Sequence, residues 1–294
     1  MYTIREAAHR AGVTPELLRA WERRYGVVTP RRTAAGYRLY DDTAIARLRS
    51  MHRLIDEGWT ASSAAEHLLA VPDAALVDPA EASPEADATG TELTRRFVDA
   101  AAAMDAAGLE AVLDEMRSRA SFEDAVDRYL FPALRALGDA WADGRVSVGA
   151  EHLASGAAQR RLAAAFDAAG SSRLDGPPVL VGLPPGARHE LGALAFAAAL
   201  RRSGVPVRYL GADLPVEDWA RAVAATDPRA VVIGVPTRAD GAAARAVARG
   251  VARETGGGVA IAFGGDGAAA LPREARLPAE LSAAVDELKA RIRS

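Results

Sequence analysis

The chain has 294 residues, half of them apolar, with 36 basic and 39 acidic side chains and a formal charge of −3 at pH 7. At roughly 100 to 200 residues per domain, that length predicts two or three modules with cores of their own. With no cysteine, disulfides, thiolate metal sites and cysteine nucleophiles are excluded, and imidazole and oxygen chemistry remain.

No apolar run reaches the ~18 residues of a membrane span, and Arg5 and Glu6 charge the N-terminus early, so neither a membrane span nor a signal peptide is expected. The expected location is the cytoplasm. The charge is uneven along the chain. Residues 1–70 hold 11 Arg against 8 acidic residues, whereas the other 224 hold 25 basic against 31 acidic, which assigns any polyanion to the N-terminal end. Arginine outnumbers lysine so heavily (Lys289 is the only one) that its abundance alone signals no phosphate site.

In chain order, "TIREAAHRAG" (residues 3–12) has Ile4, Ala7, Ala8 and Ala11 at helical spacing, with Thr3 and Glu6 as a capping box and Gly12 as a stop. "TPELLRAWERRYG" follows, with Thr14 as N-cap, Pro15 at the first helical position and Leu17, Leu18 and Trp21 as its apolar face. Two helices across a glycine turn make a helix-turn-helix. "VVTPRRTAAGYRLYD" turns at a glycine between apolar positions and predicts a short hairpin, or wing. Asp41 caps a helix bearing Ile45, Leu48, Met51, Leu54 and Ile55, and Thr60 opens another.

Residues 71–90, rich in Pro, Ala and acid, read as a linker. From 91 to about 175 the segments keep helical periodicity, and four helices joined by short loops predict a bundle. From 176 to 294 short apolar runs alternate with helices, which predicts a doubly wound parallel α/β sheet, Rossmann-like in plan. The carboxyl ends of such strands carry the ligand, and here they bring together Gly182 to His189, Gly211 to Asp213, Gly234 to Arg238 and Gly264 to Asp266. The expected architecture is thus a winged helix-turn-helix, a four-helix bundle and a Rossmann-like domain.

The stretch "YTIREAAHRAGVTPELLRAWERRYG" with "RRTAAGYRLY" resembles the DNA-binding domain of the MerR family of transcription regulators over about 70 residues. Exposed arginines on the second helix and donors on the wing suit a helix in the major groove and a wing on phosphates. The candidates for contact with double-stranded operator DNA are Arg19, Arg23 and Tyr25 on the helix, and Arg31, Arg32, Tyr37 and Arg38 on the wing. Trp21 is expected to pack against Leu17 and Leu48. His9, His52 and His67 read as surface or packing residues. The resemblance implies a homo-oligomer, dimer or tetramer, and RNA polymerase as a further partner.

Further along, "DAWADGRVSVGAEH" places Glu151 and His152 ten and eleven residues after Trp141, and "GARHELG" carries a His-x-x-Gly. These resemble the cap and the cobalamin-binding domain of light-responsive MerR regulators of the CarH and LitR type. The resemblance implies a corrinoid, adenosylcobalamin above all, with His189 as the cobalt ligand and Trp141 as a flat lid. It implies contacts from Glu151 and His152 above, and a nucleotide tail accommodated by Gly192, Gly211, Asp213, Gly264 and Gly265. Ligand state, with light cleaving the cobalt–carbon bond, would then govern oligomerisation and operator binding. The chain departs from that family twice. Ala187 stands where the signature has a carboxylate that orients the histidine, and Ala142 where the light-responsive members carry a cobalt-capping histidine. Two other readings stay open: a MerR-type regulator whose cobalamin-like domain takes another ligand or none, and a corrinoid methyl-carrier module. No Ser-His-Asp order, Walker loop or carboxylate cluster suggests an enzyme.

Overall fold

A computed structural model describes residues 2–11, 13–32, 38–56, 59–70, 84–170 and 176–293. They form two compact units, Met1–Asp87 and Ala88–Ser294.

The first unit runs β1 (Tyr2–Thr3), α1 (Ile4–Arg10), α2 (Pro15–Tyr25), β2 (Arg31–Arg32), β3 (Arg38–Tyr40), α3 (Asp42–Asp56) and α4 (Ala61–Ala70). Its helices start where side chains can satisfy their free N–H groups. Thr14 Oγ1 accepts from the Leu17 N–H at 3.2 Å, Asp41 Oδ1 from Ala44 at 2.8 Å, and Thr60 Oγ1 from Ser63 at 3.2 Å. α2 stops at Gly26, whose φ of +64° is the left-handed turn that only glycine adopts without strain. The strands form an antiparallel sheet in the order β1-β3-β2, with Arg31 opposite Leu39 and Arg32 opposite Arg38. These are the strands of the expected wing, and its tip lies outside the described residues. Ala7, Leu18, Trp21, Ile45, Leu48 and Met51 fill the core. Leu17, expected beside Trp21, is instead 38% exposed. The buried strip of α2 follows Leu18 and Trp21, and Leu17 lies at its margin.

α5 (Pro84–Ala102), most of which belongs to the second unit, begins inside the stretch that reads as a linker. α6 (Ala106–Ser118) follows, then α7 (Phe122–Ala125), which passes through a π turn, Val126–Leu130, into α8 (Phe131–Ala142). Pro132 accounts for the π turn. It lacks the N–H for an ordinary helical bond and its ring displaces the carbonyl one turn back, so the helix widens and Phe131 N–H reaches Val126 O. α9 (Val148–Ala168) completes four helical rods.

The α/β part runs β4 (Val179–Gly182), α10 (Leu191–Arg202), β5 (Val207–Gly211), α11 (Val216–Thr226), β6 (Ala230–Gly234), α12 (Gly241–Glu254), β7 (Ala260–Gly264) and α13 (Leu281–Arg291). All its strands are parallel, in the order β5-β4-β6-β7. Alternation along the strands sorts the core into two layers. Val179, Val181 and Val232 join α10, α13 and the bundle, whereas Leu180, Val231 and Ile233 join Trp219 of α11 and Val247 of α12. α10 is buried at seven consecutive positions from Leu194 to Leu200, since the sheet covers one side and α9 the other. Its alanines keep it slim enough for that slot. Among the described residues, no helix is long and apolar enough to cross a membrane.

Candidate functional site

On the first unit, Arg19 and Arg23 project from α2 into solvent, and Arg31 does so from β2. Arg19 lies 4.0 Å from Glu16 with its side chain 53% exposed, a contact too weak to withhold it from a phosphate. Tyr25 is half-buried, with the Arg24 guanidinium 5.6 Å from its ring centre. Arg38 is differently engaged: its Nε donates to Glu22 Oε1 at 3.0 Å, while Tyr40 Oη donates to Glu22 Oε2 at 2.9 Å. Glu22 therefore ties the wing to α2. Its hydrogen bond holds the Arg38 guanidinium above its ordinary pKa, and burial, reinforced by the Glu22 bond, raises the Tyr40 hydroxyl. Sequence reasoning missed Glu22, whose signal was an acid set among arginines on this helix. Tyr37 and the side chains of Arg32 and His9 lie outside what is described. His67 is exposed, its ring 5.3 Å from that of Trp59.

On the second unit, each strand of the parallel sheet ends on a glycine: Gly182, Gly211, Gly234 and Gly264. The register sets Gly182 beside Gly211 and Gly234 beside Gly264, so the carboxyl edge is a rim without side chains. Packing dictates some of these glycines. A Cβ on Gly182 would sit 3.1 Å from Trp219, and one on Gly265, where φ is +103°, only 2.7 Å from Val235 O. Gly192 and Gly264 differ, because a Cβ on either meets nothing within 4 Å. Their bareness leaves open room at the rim.

His189 lies in the loop leaving β4, next to β6, where the strand order reverses and such sheets receive ligands. It is exposed, and among the described residues no hydrogen bond or ion pair engages its imidazole. The loop around it is held at Gly186, Ala187 and Glu190. Ala187, buried, accepts the Asp213 N–H at 3.0 Å, and Asp213 Oδ1 accepts the Gly186 N–H at 2.6 Å. Glu190 receives Gln159 Nε2 of α9 at 2.6 Å and Tyr209 Oη of β5 at 2.7 Å. Burial, then the bond to Glu190, raises the Tyr209 hydroxyl well above its ordinary pKa.

The bundle supplies a wall above this rim. Gly170 O at the end of α9 accepts from Arg201 near the end of α10, and Gln159 meets Glu190 at the start of α10. The two helices therefore run side by side, and the turns of α9 before Gln159 extend past the sheet's carboxyl edge. His152, seven residues before Gln159, lies on the same face about 10 Å further along the axis. Its side chain is 74% exposed, with Nε2 3.6 Å from Glu151 Oε2. Trp141, at the end of α8, is 50% exposed, an unusual state for a large apolar ring.

A free imidazole on a bare rim, with room at Gly192 and Gly264 and the turns of α9 projecting past it, fits a flat metal-bearing ligand. Among the described residues no cluster of three or more His, Asp or Glu side chains could hold an ion. A metal taken by His189 must therefore bring its other ligands with it, as the cobalt of a corrin does.

Comparison with known proteins identifies the domains. The model of the MerR HTH family of regulatory proteins matches residues 2–70, and two models of B12 binding domains match residues 93–165 and 177–286. The chain is 41% identical to the HTH-type transcriptional repressor CarH of Myxococcus xanthus over 229 residues, 77% of this chain and 76% of that protein. To the repressor CarA of the same organism it is 35% identical over 72% of this chain and 68% of the relative. The second unit shares its fold with the monomethylamine corrinoid protein of Methanosarcina barkeri, at a TM-score of 0.55 and 14% identity, covering 69% of this chain and 99% of that one. The chain belongs to the MerR family of transcription regulators, among those that join the DNA-binding module to a B12-binding sensor, and it is a DNA-binding regulator rather than an enzyme.

Proposed function

We propose that the protein is a cytoplasmic transcriptional repressor whose sensor binds adenosylcobalamin, and whose ligand state controls self-association and operator binding. The observation that carries the reading is the unengaged imidazole of His189 on the glycine rim, beneath the projecting turns of α9. When bound, adenosylcobalamin supplies a cobalt–carbon bond that light breaks. His189 would hold the metal, Trp141 would pack against the ligand, and Glu151 and His152 would hydrogen-bond to its polar groups. Gly192, Gly211 and Gly264 give passage to the nucleotide tail, with Asp213 and Gly265 shaping the loops beside it.

Ala142 offers no imidazole, so no second protein histidine would reach the metal from this position. Ligand binding shifts assembly only by its difference in affinity between two states, so the contacts that matter lie between the bundle and the rim. Arg19, Arg23, Tyr25, Arg31, Arg32 and Tyr37 meet operator DNA, Arg38 supports the wing through Glu22, and the dimer or tetramer excludes RNA polymerase from the promoter.

A second reading, another ligand or none, is favoured by Ala187, which leaves His189 without an orienting carboxylate. One experiment separates the two. The protein and His189→Ala are mixed with adenosylcobalamin in the dark, desalted, and followed by visible absorption and operator gel shift before and after illumination. Corrin absorbance retained by the protein and lost with His189→Ala supports the proposal. No retained corrin would establish the second reading.

A further inference from the structure

The imidazole of His189 lacks the carboxylate two residues earlier that the family signature supplies, yet the main chain around it is held on both sides. Upstream, Asp213 donates its N–H to Ala187 O at 3.0 Å and accepts the Gly186 N–H through Oδ1 at 2.6 Å. Asp213 adopts φ +54°, a left-handed conformation uncommon for a residue with a side chain, and such strain persists where its surroundings over-determine it. Downstream, Glu190 is clamped by Gln159 from α9 and by Tyr209 from β5, and its carbonyl accepts the first helical bond of α10 from Leu194 at 2.9 Å. Both anchors lie within three residues of His189.

We infer that Asp213 and Glu190 are positioning residues that replace the missing carboxylate: they fix the main chain on either side of His189 and so aim its ring, rather than bonding to it. The inference rests on the proposed role of His189. Fixing the backbone sets the direction of the Cα–Cβ bond, which leaves a ring only its staggered rotamers. A carboxylate partner would also restrict the ring's rotation; here that is left to backbone and rotamer. Glu190 adds a second effect. One of its oxygens belongs to the bundle's hydrogen bond and the other to the sheet's, so the loop that carries the imidazole is registered against the wall that faces it.

The test uses the full chain labelled with 15N-histidine and loaded with cob(II)alamin. In its paramagnetic resonance spectrum a labelled protein imidazole under the cobalt splits each line into a doublet, whereas the cofactor's own base gives a triplet. Wild type is expected to give the doublet and His189→Ala to lose it. Asp213→Gly keeps the left-handed backbone and removes the acceptor, and Glu190→Ala removes both clamps on its side. Each is expected to lose at least half of the doublet while the unloaded protein melts close to wild type. Tyr209→Phe, which takes only one donor from Glu190, moves the same way, and Asp213→Asn, which keeps an oxygen acceptor, restores the doublet. Undiminished doublets in Asp213→Gly and Glu190→Ala overturn the inference, as does a loss that Asp213→Asn shares. A wild-type spectrum without the doublet overturns the assignment of His189 itself, a separate outcome.

Discussion

Replacing Gly192 by alanine separates the needs of folding from those of the ligand. Gly192 lies in the first turn of α10, its φ outside the left-handed region, and a Cβ there meets nothing within 4 Å. For the unloaded protein the substitution is a gain, because alanine loses less backbone freedom on folding, worth about 0.5–1 kcal/mol in a helix. For a unit of this size each kcal/mol moves the melting temperature by about 2–4 °C, so Gly192→Ala melts about 1–4 °C above wild type. The new methyl occupies room that the proposed ligand needs. Overpacking of that kind costs about 1–3 kcal/mol, a roughly fivefold to 140-fold weaker Kd for adenosylcobalamin. Differential scanning calorimetry of the unloaded protein and an absorbance titration in the dark give both numbers. A higher melting temperature with an unchanged Kd would refute the assignment of this space to the ligand. A lower melting temperature would show that the space is not open.

Glu22→Ala leaves the Tyr40 hydroxyl buried without its acceptor and releases Arg38, and is expected to destabilise the N-terminal unit by about 1–3 kcal/mol; an unchanged urea midpoint would count against the tie. Arg19→Ala and Arg23→Ala weaken operator binding evenly across sequences, and each lowers the slope of log K against log salt by about 1; a gel-shift salt series with the wild-type slope removes that residue from the interface. Asp127, in the π turn, accepts the Leu281 N–H at 2.8 Å and so caps α13 from the bundle. Burial raises its pKa, with Glu280 and Asp124 adding to the rise and the Leu281 bond and Arg135 opposing it. A raised carboxylate favours the fold at pH below its unfolded value, and that contribution is lost as pH rises through the folded value. Asp127→Asn keeps the acceptor without the charge, so at pH 7 it melts at or above wild type, while Asp127→Ala loses the cap and about 1 kcal/mol. A lower melting temperature for the asparagine variant at pH 7 contradicts this sign.

Local chemistry was legible in the chain and remote pairing was not. Thr14, Asp41 and Thr60 announce their helices because a cap bonds three residues ahead, and Gly26 announces an end because its backbone needs φ of +64°. The alternation of short apolar runs with helices was enough for a parallel sheet, and its glycines marked the rim. Leu17 could not be resolved, since periodicity names two adjacent leucines and only contact with the neighbouring helices selects Leu18. The start of α5 was hidden because Pro84 and the acids that open a helix also compose a linker. Glu22 reaches partners 16 and 18 residues away, Asp213 one 27 away, and Glu190 one 31 away; no spacing rule foretells such bonds, because they exist only once the elements have packed. Arg38 shows the consequence, legible as a basic wing residue but not as one already engaged.

Among the described non-glycine residues of the second unit, left-handed backbones occur at Met104, Asp213 and Asp227, and only the one at Asp213 lies at the sheet's carboxyl edge. One unbonded histidine or one left-handed aspartate would each pass without comment on a surface. Here the unbonded His189 and the left-handed Asp213 share the loops at the carboxyl rim of a sheet whose strands all end on glycine, the edge where such sheets receive ligands. The topology explains why this edge is the one chosen. Beyond it, α10 is buried between sheet and bundle for seven residues, and a close-packed interior does not absorb displacement by yielding. A shift imposed on His189 and Glu190, at the head of that helix, must therefore move α10 against the sheet or pass through Gln159 to α9. Either route changes how bundle and sheet meet, which is what the proposed coupling of ligand state to assembly requires.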